Sequence, residues 1–178
     1  MKKLLLTVLV GLLIFALAGC GGDITDDATT DEAAKIDVTT MTAGDIMMQF
    51  QDAGFPLGEI VVYTEDTDTN SLLGRPDQYT SKASFSDSRI EQPEASIEGE
   101  DAVMIGGTVE VFENADDATA RKEYIESVTS GMSVLVQYMY QYENVLIRID
   151  GDLTPTQAAQ YEAGLNGLAA GEAPIFSE

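Results

Sequence analysis

The stretch SVLVQYMYQYENVLIRID, residues 133–150, holds two strand-like runs separated by two residues with the character of a turn. Aliphatic, β-branched and aromatic residues dominate SVLVQYMYQY (133–142) and VLIRID (145–150), which is typical of strands. Glu143 and Asn144 lie between the two runs and allow a tight reversal of the chain. The stretch therefore predicts an antiparallel β-hairpin.

Three helix-start signals occur on either side of this hairpin. Thr42 and Asp45 have the spacing of a capping box, Asn114 precedes a segment that opens with acidic residues, and Thr154 is followed by Pro155. A glycine marks the predicted end of each helix, at Gly54, Gly131 or Gly171.

Further strand-like segments precede the hairpin, at residues 59–65, 78–87 and 106–113. The resulting order of elements is α-β-β-β-α-β-β-α. Because the strands follow one another without helical crossovers, we expect an α+β domain whose antiparallel sheet has about five strands, with helices packed on one face. In the helix that follows Asn114, apolar residues recur at helical spacing at Tyr124, Ile125 and Val128.

The N-terminal segment, residues 1–19, has the features of an export signal. Lys2 and Lys3 form a basic head, and the apolar run after them is shorter than the roughly 20 residues of a transmembrane helix. The run ends in Leu-Ala-Gly-Cys, which resembles the lipobox of bacterial lipoproteins, so we expect a diacylglyceryl anchor on Cys20. The predicted location is the outer face of the bacterial cytoplasmic membrane. The alternative is a secreted protein with an isolated cysteine.

Residues 20–40 follow the signal and contain few large apolar side chains. A segment of this composition cannot bury enough surface to fold, so we expect a disordered acidic tether. Residues 41–178 have the size of a single domain. The predicted organisation is therefore a lipidated cysteine, a tether and one α+β domain.

The chain carries 31 acidic residues against 9 basic ones, a formal net charge of −22, and two of the basic residues leave with the signal. Such a charge repels nucleic-acid phosphates and anionic lipid headgroups, which excludes nucleic acid as a partner. The charge suits a basic or cationic partner, and it is also typical of a solvated acidic surface.

The residue types of common catalytic and metal sites are scarce. The chain has no histidine and a single cysteine, Cys20, so it lacks zinc-ligand patterns, disulfides and a histidine base. Carboxylates are so numerous that no catalytic pair stands out. We therefore expect a protein without enzymatic activity.

The segment EDTDTNSLLGRPD, residues 65–77, partly matches a calcium-binding loop. Its carboxylate and amide side chains have the spacing of the oxygen ligands in an EF-hand loop. Ser71, however, takes the place of the glycine that such a loop needs for its turn. Calcium is therefore a candidate cofactor, and the alternative is a polar connection rich in turn formers. The candidate ligands are Asp66, Asp68, Asn70 and Asp77.

Three segments, LLGRPDQYTSKASFSD, GGTVEVFENADDATARKEYI and VLIRIDGDLTPTQAAQYEAGL, resemble a family of small secreted lipoproteins of Gram-positive bacteria. The resemblance extends from about residue 45 to about residue 168, and its most specific part is Leu72–Pro76 together with Tyr79–Lys82. It implies an extracytoplasmic location and the fold given above. The family has no established activity, so the resemblance implies no catalytic residue.

The same segment contains two of the few cations of the chain, Arg75 and Lys82. The sequence predicts a turn and then a strand, on which Lys82 faces solvent on the side opposite to Tyr79, Ala83 and Phe85. Arg75 and Lys82 are therefore a candidate site for an anion or another ligand. The alternative is that each cation neutralises a nearby carboxylate of this acidic protein.

These observations favour a binding or interaction module of the cell envelope. The expected partner is a protein, a peptide or an envelope polymer. The alternative is a calcium-dependent or carboxylate-based module or enzyme that uses the Asp66–Asp77 loop. A substrate-binding component of a transporter is a further possibility, although the domain is smaller than the two-lobed receptors that usually have that role.

Overall fold

The computed structural model describes residues 36–91, 105–132 and 135–177 of the chain. The predicted signal, the lipidation site Cys20 and most of the predicted tether lie outside the described residues, as do residues 133–134 of the predicted hairpin. Residues Ala33–Glu178 form one compact unit, which contains all the helices and strands described. No helix within the described ranges is long and apolar enough to cross a membrane.

The fold is of the α+β class, and the predicted order of helices and strands is confirmed. The elements are a 3-10 turn at Val38–Thr40, α1 (Ala43–Asp52), β1 (Leu57–Val62), β2 (Ser81–Asp87), β3 (Gly106–Val111), α2 (Ala115–Thr129), β4 (Gln137–Tyr142), β5 (Val145–Asp150) and α3 (Pro155–Ala169). The strands form one five-stranded sheet in the order β1-β2-β3-β5-β4, and all neighbouring strands are antiparallel.

Local sequence signals account for the helix ends. Thr42 and Thr154 each accept a hydrogen bond from the backbone amide three residues further on, within complete capping boxes, and Asn114 accepts the equivalent bond at the start of α2. Gly54 and Gly171 follow α1 and α3 with positive φ angles of 81° and 78°. Such conformations are easily adopted by glycine and end a helix, as the sequence predicts.

The fold begins earlier than the sequence predicts. Val38, which lies in the predicted 20–40 tether, is almost completely buried and belongs to the main hydrophobic core. The Nδ2 group of Asn144 donates a hydrogen bond to the carbonyl oxygen of Thr39 at 3.1 Å, which ties this segment to the turn between β4 and β5. The end of the predicted tether is therefore part of the domain.

The helices cover both faces of the sheet, and the prediction that they pack on one face is wrong. In β5, Val145, Ile147 and Ile149 belong to the main core with α1 and α3, whereas Leu146 packs with Ala118 of α2 on the opposite face. Side chains alternate between the two faces of a strand. A strand with apolar residues at consecutive positions therefore requires cover on both sides.

Strand β2 begins at Ser81, later than the predicted start at residue 78. The residues before it form turns, in which Ser71, Gly74 and Asp77 have positive φ angles of 53°, 76° and 61°. Because of these turns, Tyr79 does not continue the alternation of β2. It packs instead against Phe112 on the α2 face of the sheet, with ring centroids 6.0 Å apart.

Candidate ligand-binding groove

The sheet face that α2 covers carries buried charged side chains. Lys82 of β2 and Glu110 of β3 are direct partners in the antiparallel pairing of the two strands. Lys82 is 4% exposed, and Glu110 is completely buried. Burying a charge is unfavourable unless the charge is paired and hydrogen-bonded. Each of these groups accordingly has an oppositely charged partner.

Asp68, in the loop between β1 and β2, is the partner of Lys82. The Lys82 Nζ donates to Asp68 Oδ1 at 2.7 Å, and the Tyr79 hydroxyl donates to Oδ2 at 2.7 Å. The backbone amides of Leu72 and Leu73 donate to the same Oδ2 at 2.9 and 3.1 Å. Burial acts to raise the pKa of Asp68, but these hydrogen bonds outweigh it and hold that pKa far below its usual range. Burial and the bond to Asp68 raise the pKa of Tyr79.

Glu110 is paired with two arginines. The Nη2 atoms of Arg121 and Arg148 lie 3.3 and 3.2 Å from Glu110 Oε1. Arg121 comes from α2, so its pairing with Glu110 fixes the helix against the sheet. The Arg121 guanidinium also lies 5.8 Å from the ring centroid of Tyr79 and 6.0 Å from that of Tyr124. These distances are in the range of cation–π contacts.

Asp87 forms a further buried ion pair, on the side of the sheet that α3 covers. Its carboxylate accepts hydrogen bonds from Arg89 Nε at 2.9 Å, from Arg89 Nη2 at 2.7 Å and from the Tyr161 hydroxyl at 2.6 Å. Burial acts to raise the pKa of Asp87, and the bonds from Arg89 and Tyr161 lower it by more. Burial and the bond to Asp87 raise the pKa of Tyr161.

The structure does not support an anion site at Arg75 and Lys82. The prediction that Lys82 faces solvent is wrong, because the sheet is covered on both faces and the ammonium group is neutralised by Asp68. Arg75 is exposed and has no ion pair among the residues that the structure describes. Only one of the two candidate residues is therefore available to a ligand.

The four candidate calcium ligands lie in different environments. Both carboxylate oxygens of Asp68 are engaged in the network with Lys82 and Tyr79, whereas Asp66, Asn70 and Asp77 are exposed. The described part of the chain contains no group of three or more histidine, cysteine, aspartate or glutamate side chains that is suited to a metal ion. Asp68 therefore contributes an internal ion pair at this point of the loop.

A groove lies next to the buried charged layer, between the loop that precedes β2 and one flank of α2. Its volume is about 640 Å³. The loop supplies a mixed polar and apolar wall, and α2 supplies Arg121 together with an apolar stripe. The lining residues are Asn70, Leu72, Asp77, Gln78, Ala120, Arg121, Tyr124, Ile125 and Val128.

Tyr124 and Val128 do not belong to the core, although their helical spacing suggests a buried stripe. Tyr124 is 58% exposed and Val128 is 45% exposed, whereas Ile125 between them is buried. Helices α1 and α3 pack on the main hydrophobic core, on one face of the sheet. Helix α2 packs on the other face, over a layer that also contains charged side chains, so fewer of its apolar residues are covered by apolar neighbours. Two large apolar side chains consequently remain exposed in a concave surface.

Sequence reasoning did not select Glu110, Arg121, Tyr124 or Val128 as site residues. The available signal was in α2, where Tyr124 and Val128 follow Arg121 by three and seven residues and so share a helix side with it.

No protein-family model, curated protein or solved structure matches this chain. The geometry and chemistry of the groove are therefore the starting point for its function.

Proposed function

We propose that this chain is a lipid-anchored, extracytoplasmic binding module of the bacterial cell envelope, which acts by binding and not by catalysis. The proposal for its location rests on the signal-like residues 1–19 and on the lipobox-like sequence that ends at Cys20. The resemblance to small secreted lipoproteins supports the same location. A diacylglyceryl anchor would hold the domain at the outer face of the cytoplasmic membrane.

The groove beside α2 is the proposed binding site, and the exposure of Tyr124 and Val128 within it is the observation that carries the proposal. Its volume of about 640 Å³ falls within the range of about 300–1,000 Å³ that is usual for ligand sites. An aromatic and an aliphatic side chain next to an arginine are typical of interaction surfaces. A protein or peptide segment suits this lining better than a purely polar polymer does.

Site-specific photo-cross-linking in the cells that produce the full-length chain would test the groove. A benzophenone amino acid replaces Tyr124 in one variant and Met48 in another, because Met48 is a comparably exposed apolar residue, at 61%, on α1. We expect a discrete cross-linked product from position 124 that is absent from position 48. The product should disappear when Val128→Asp is added. Equal products from both positions, or none from position 124, would contradict the proposed site.

The anchor is tested independently with Cys20→Ser in the full-length chain. We expect the unaltered chain to incorporate an alkyne-tagged fatty acid and to sediment with membranes, and the variant to lose the label. Protease added to intact protoplasts should digest the domain if it lies outside the membrane. Retention of the fatty-acid label by Cys20→Ser would show that the anchor is elsewhere.

A further inference from the structure

Resting on the groove proposed above, we infer that its occupant is an apolar segment of a cationic polypeptide. The first step is the distribution of positive charge within the fold. Most cations of the described residues are held by buried carboxylates: Lys82 by Asp68, Arg89 by Asp87, and Arg121 and Arg148 by Glu110. Within the described ranges, Arg75 and Lys122 are the cations without an ion pair.

These four cations are paired with only three carboxylates, so the pairing leaves nearly the whole negative formal charge of the chain uncompensated. Asp77 lines the groove itself, and Glu65 and Asp66 are exposed on the same loop, which also carries the exposed cation Arg75. A ligand that places apolar side chains against Tyr124 and Val128 would lie beside a loop whose exposed carboxylates outnumber its one exposed cation. Positive groups next to those apolar side chains would be favoured, and negative groups would be disfavoured.

The lining of the groove supports the same class of ligand. Arg121 contributes its guanidinium to the wall, where it is largely buried and paired with Glu110, a carboxylate that it shares with Arg148. The groove therefore offers an apolar and aromatic surface, and the one cation of its lining is already engaged in an internal ion-pair cluster. A second copy of this chain is a poor occupant, since two chains with a formal net charge of −22 repel each other. A peptide segment whose apolar side chains are flanked by Lys or Arg would match both the apolar lining of the groove and its acidic surroundings.

Three synthetic helical peptides of about 14 residues would test this inference with residues 33–178, the compact unit that contains the whole described fold. The first peptide combines Leu with Lys, the second replaces every Lys by Gln, and the third keeps Lys but replaces every Leu by Ser. Binding is measured by fluorescence anisotropy in low and high salt. We expect saturable binding of the Leu/Lys peptide, at least tenfold weaker binding of the other two, and weaker binding in high salt.

The double variant Tyr124→Ser, Val128→Ser should weaken binding of the Leu/Lys peptide at least tenfold, whereas Met48→Ser, Val62→Ser should change it less than twofold. Met48 and Val62 are exposed apolar residues outside the groove lining and serve as the matched control. Equal binding of the Leu/Lys and Leu/Gln peptides in the groove would overturn the cationic occupant and leave the groove proposal intact. If the Lys/Ser peptide bound as tightly as the Leu/Lys peptide, and the Tyr124→Ser, Val128→Ser variant did not weaken either, both the groove and its cationic occupant would be contradicted. An absence of binding by all three peptides would overturn the cationic occupant, and the cross-linking experiment would then decide the groove separately.

Discussion

At the scale of single residues, the pairing of Lys82 with Asp68 should make a large contribution to stability. The Lys82→Met variant keeps most of the side-chain volume but leaves the buried carboxylate without its cation. We expect the free energy of unfolding to fall by about 3–5 kcal/mol, the usual effect of removing one partner of a buried ion pair. Urea denaturation of residues 33–178, followed by circular dichroism, would measure the change.

Arg75→Met is the matched control for this variant, because Arg75 is an exposed cation of the same segment and has no ion pair in the described structure. We expect it to alter the free energy of unfolding by less than about 0.5 kcal/mol. The double variant Asp68→Asn, Lys82→Met should recover part of the stability that Lys82→Met loses, because the uncharged amide oxygen can still accept the bonds from Tyr79 and from the Leu72 and Leu73 amides. If Lys82→Met were as harmless as Arg75→Met, Lys82 would not be part of a structural ion pair.

The partners of individual residues could be predicted only in part from the sequence. Neutralisation of cations by nearby carboxylates was one of two alternatives, and it is the one found for Lys82. Its partner Asp68 is 14 residues away, and the contact depends on successive turns with positive φ angles at Ser71, Gly74 and Asp77. No local pattern distinguishes Asp68, Asp87 and Glu110 from the other acidic residues of the chain, because their burial is set by the tertiary fold.

At the scale of elements, the packing of α3 depends on the absence of a side chain at Gly164. A Cβ atom at this position would lie 2.8 Å from Phe50 Cε1 and 2.8 Å from Phe55 Cζ, two rings that are stacked in the core. Gly164→Ala should therefore lower the free energy of unfolding by about 1–3 kcal/mol, as overpacking of a core does. Thermal denaturation followed by circular dichroism would detect the corresponding fall in Tm.

Gly167→Ala provides the comparison within the same helix. A Cβ atom there would meet its nearest neighbour, the Cα of Pro174, at 3.5 Å, which is an ordinary van der Waals contact. Since alanine favours a helix over glycine by about 1 kcal/mol, this variant should be neutral or slightly more stable. Similar destabilisation by both substitutions would indicate a general effect on α3 and not close packing at Gly164.

The elements themselves were largely predictable, since helix ends depend on short-range chemistry. Thr42, Asn114 and Thr154 cap the helices that they were expected to cap, and VLIRID coincides with β5. The faces that the elements bury were less predictable. In α2 the helical spacing of Tyr124 and Val128 suggests a core stripe, but the layer beneath α2 contains the Glu110 cluster, and both side chains remain exposed. The candidate groove follows from that placement and has no counterpart in a local motif.

At the scale of the whole molecule, the fold separates its charges. Most cations of the described residues form buried pairs with Asp68, Asp87 and Glu110, whereas carboxylates outnumber cations among the exposed residues. The acidic exposed surface and the buried ion pairs should therefore respond differently to salt. Salt should screen the attraction between the exposed surface and a cationic partner, whereas the buried pairs are screened much less.

Acid should act on the buried pairs through the lowered pKa values of Asp68 and Asp87. An aspartate in the unfolded chain has a pKa of about 3.9, so below about pH 4 the unfolded chain takes up protons at these positions while the native carboxylates stay ionised. Their stabilising contribution is complete above that pH and is lost as the pH falls toward the lower native pKa values. The free energy of unfolding should therefore decrease between about pH 5 and pH 3.

The variant Asp87→Asn isolates one of these contributions. At pH 7 it should be less stable than the unaltered domain by about 3 kcal/mol, because Arg89 loses its buried partner. The difference should narrow as the pH falls below about 4, where the unfolded aspartate becomes protonated. Asp152→Asn serves as the control, since Asp152 is exposed and has no ion pair among the described residues, and at pH 7 it should change the free energy of unfolding by less than about 0.5 kcal/mol. Urea denaturation from pH 7 to pH 3 would measure both variants, and a difference for Asp87→Asn that does not depend on pH would mean that Asp87 does not contribute to stability through its ionised form.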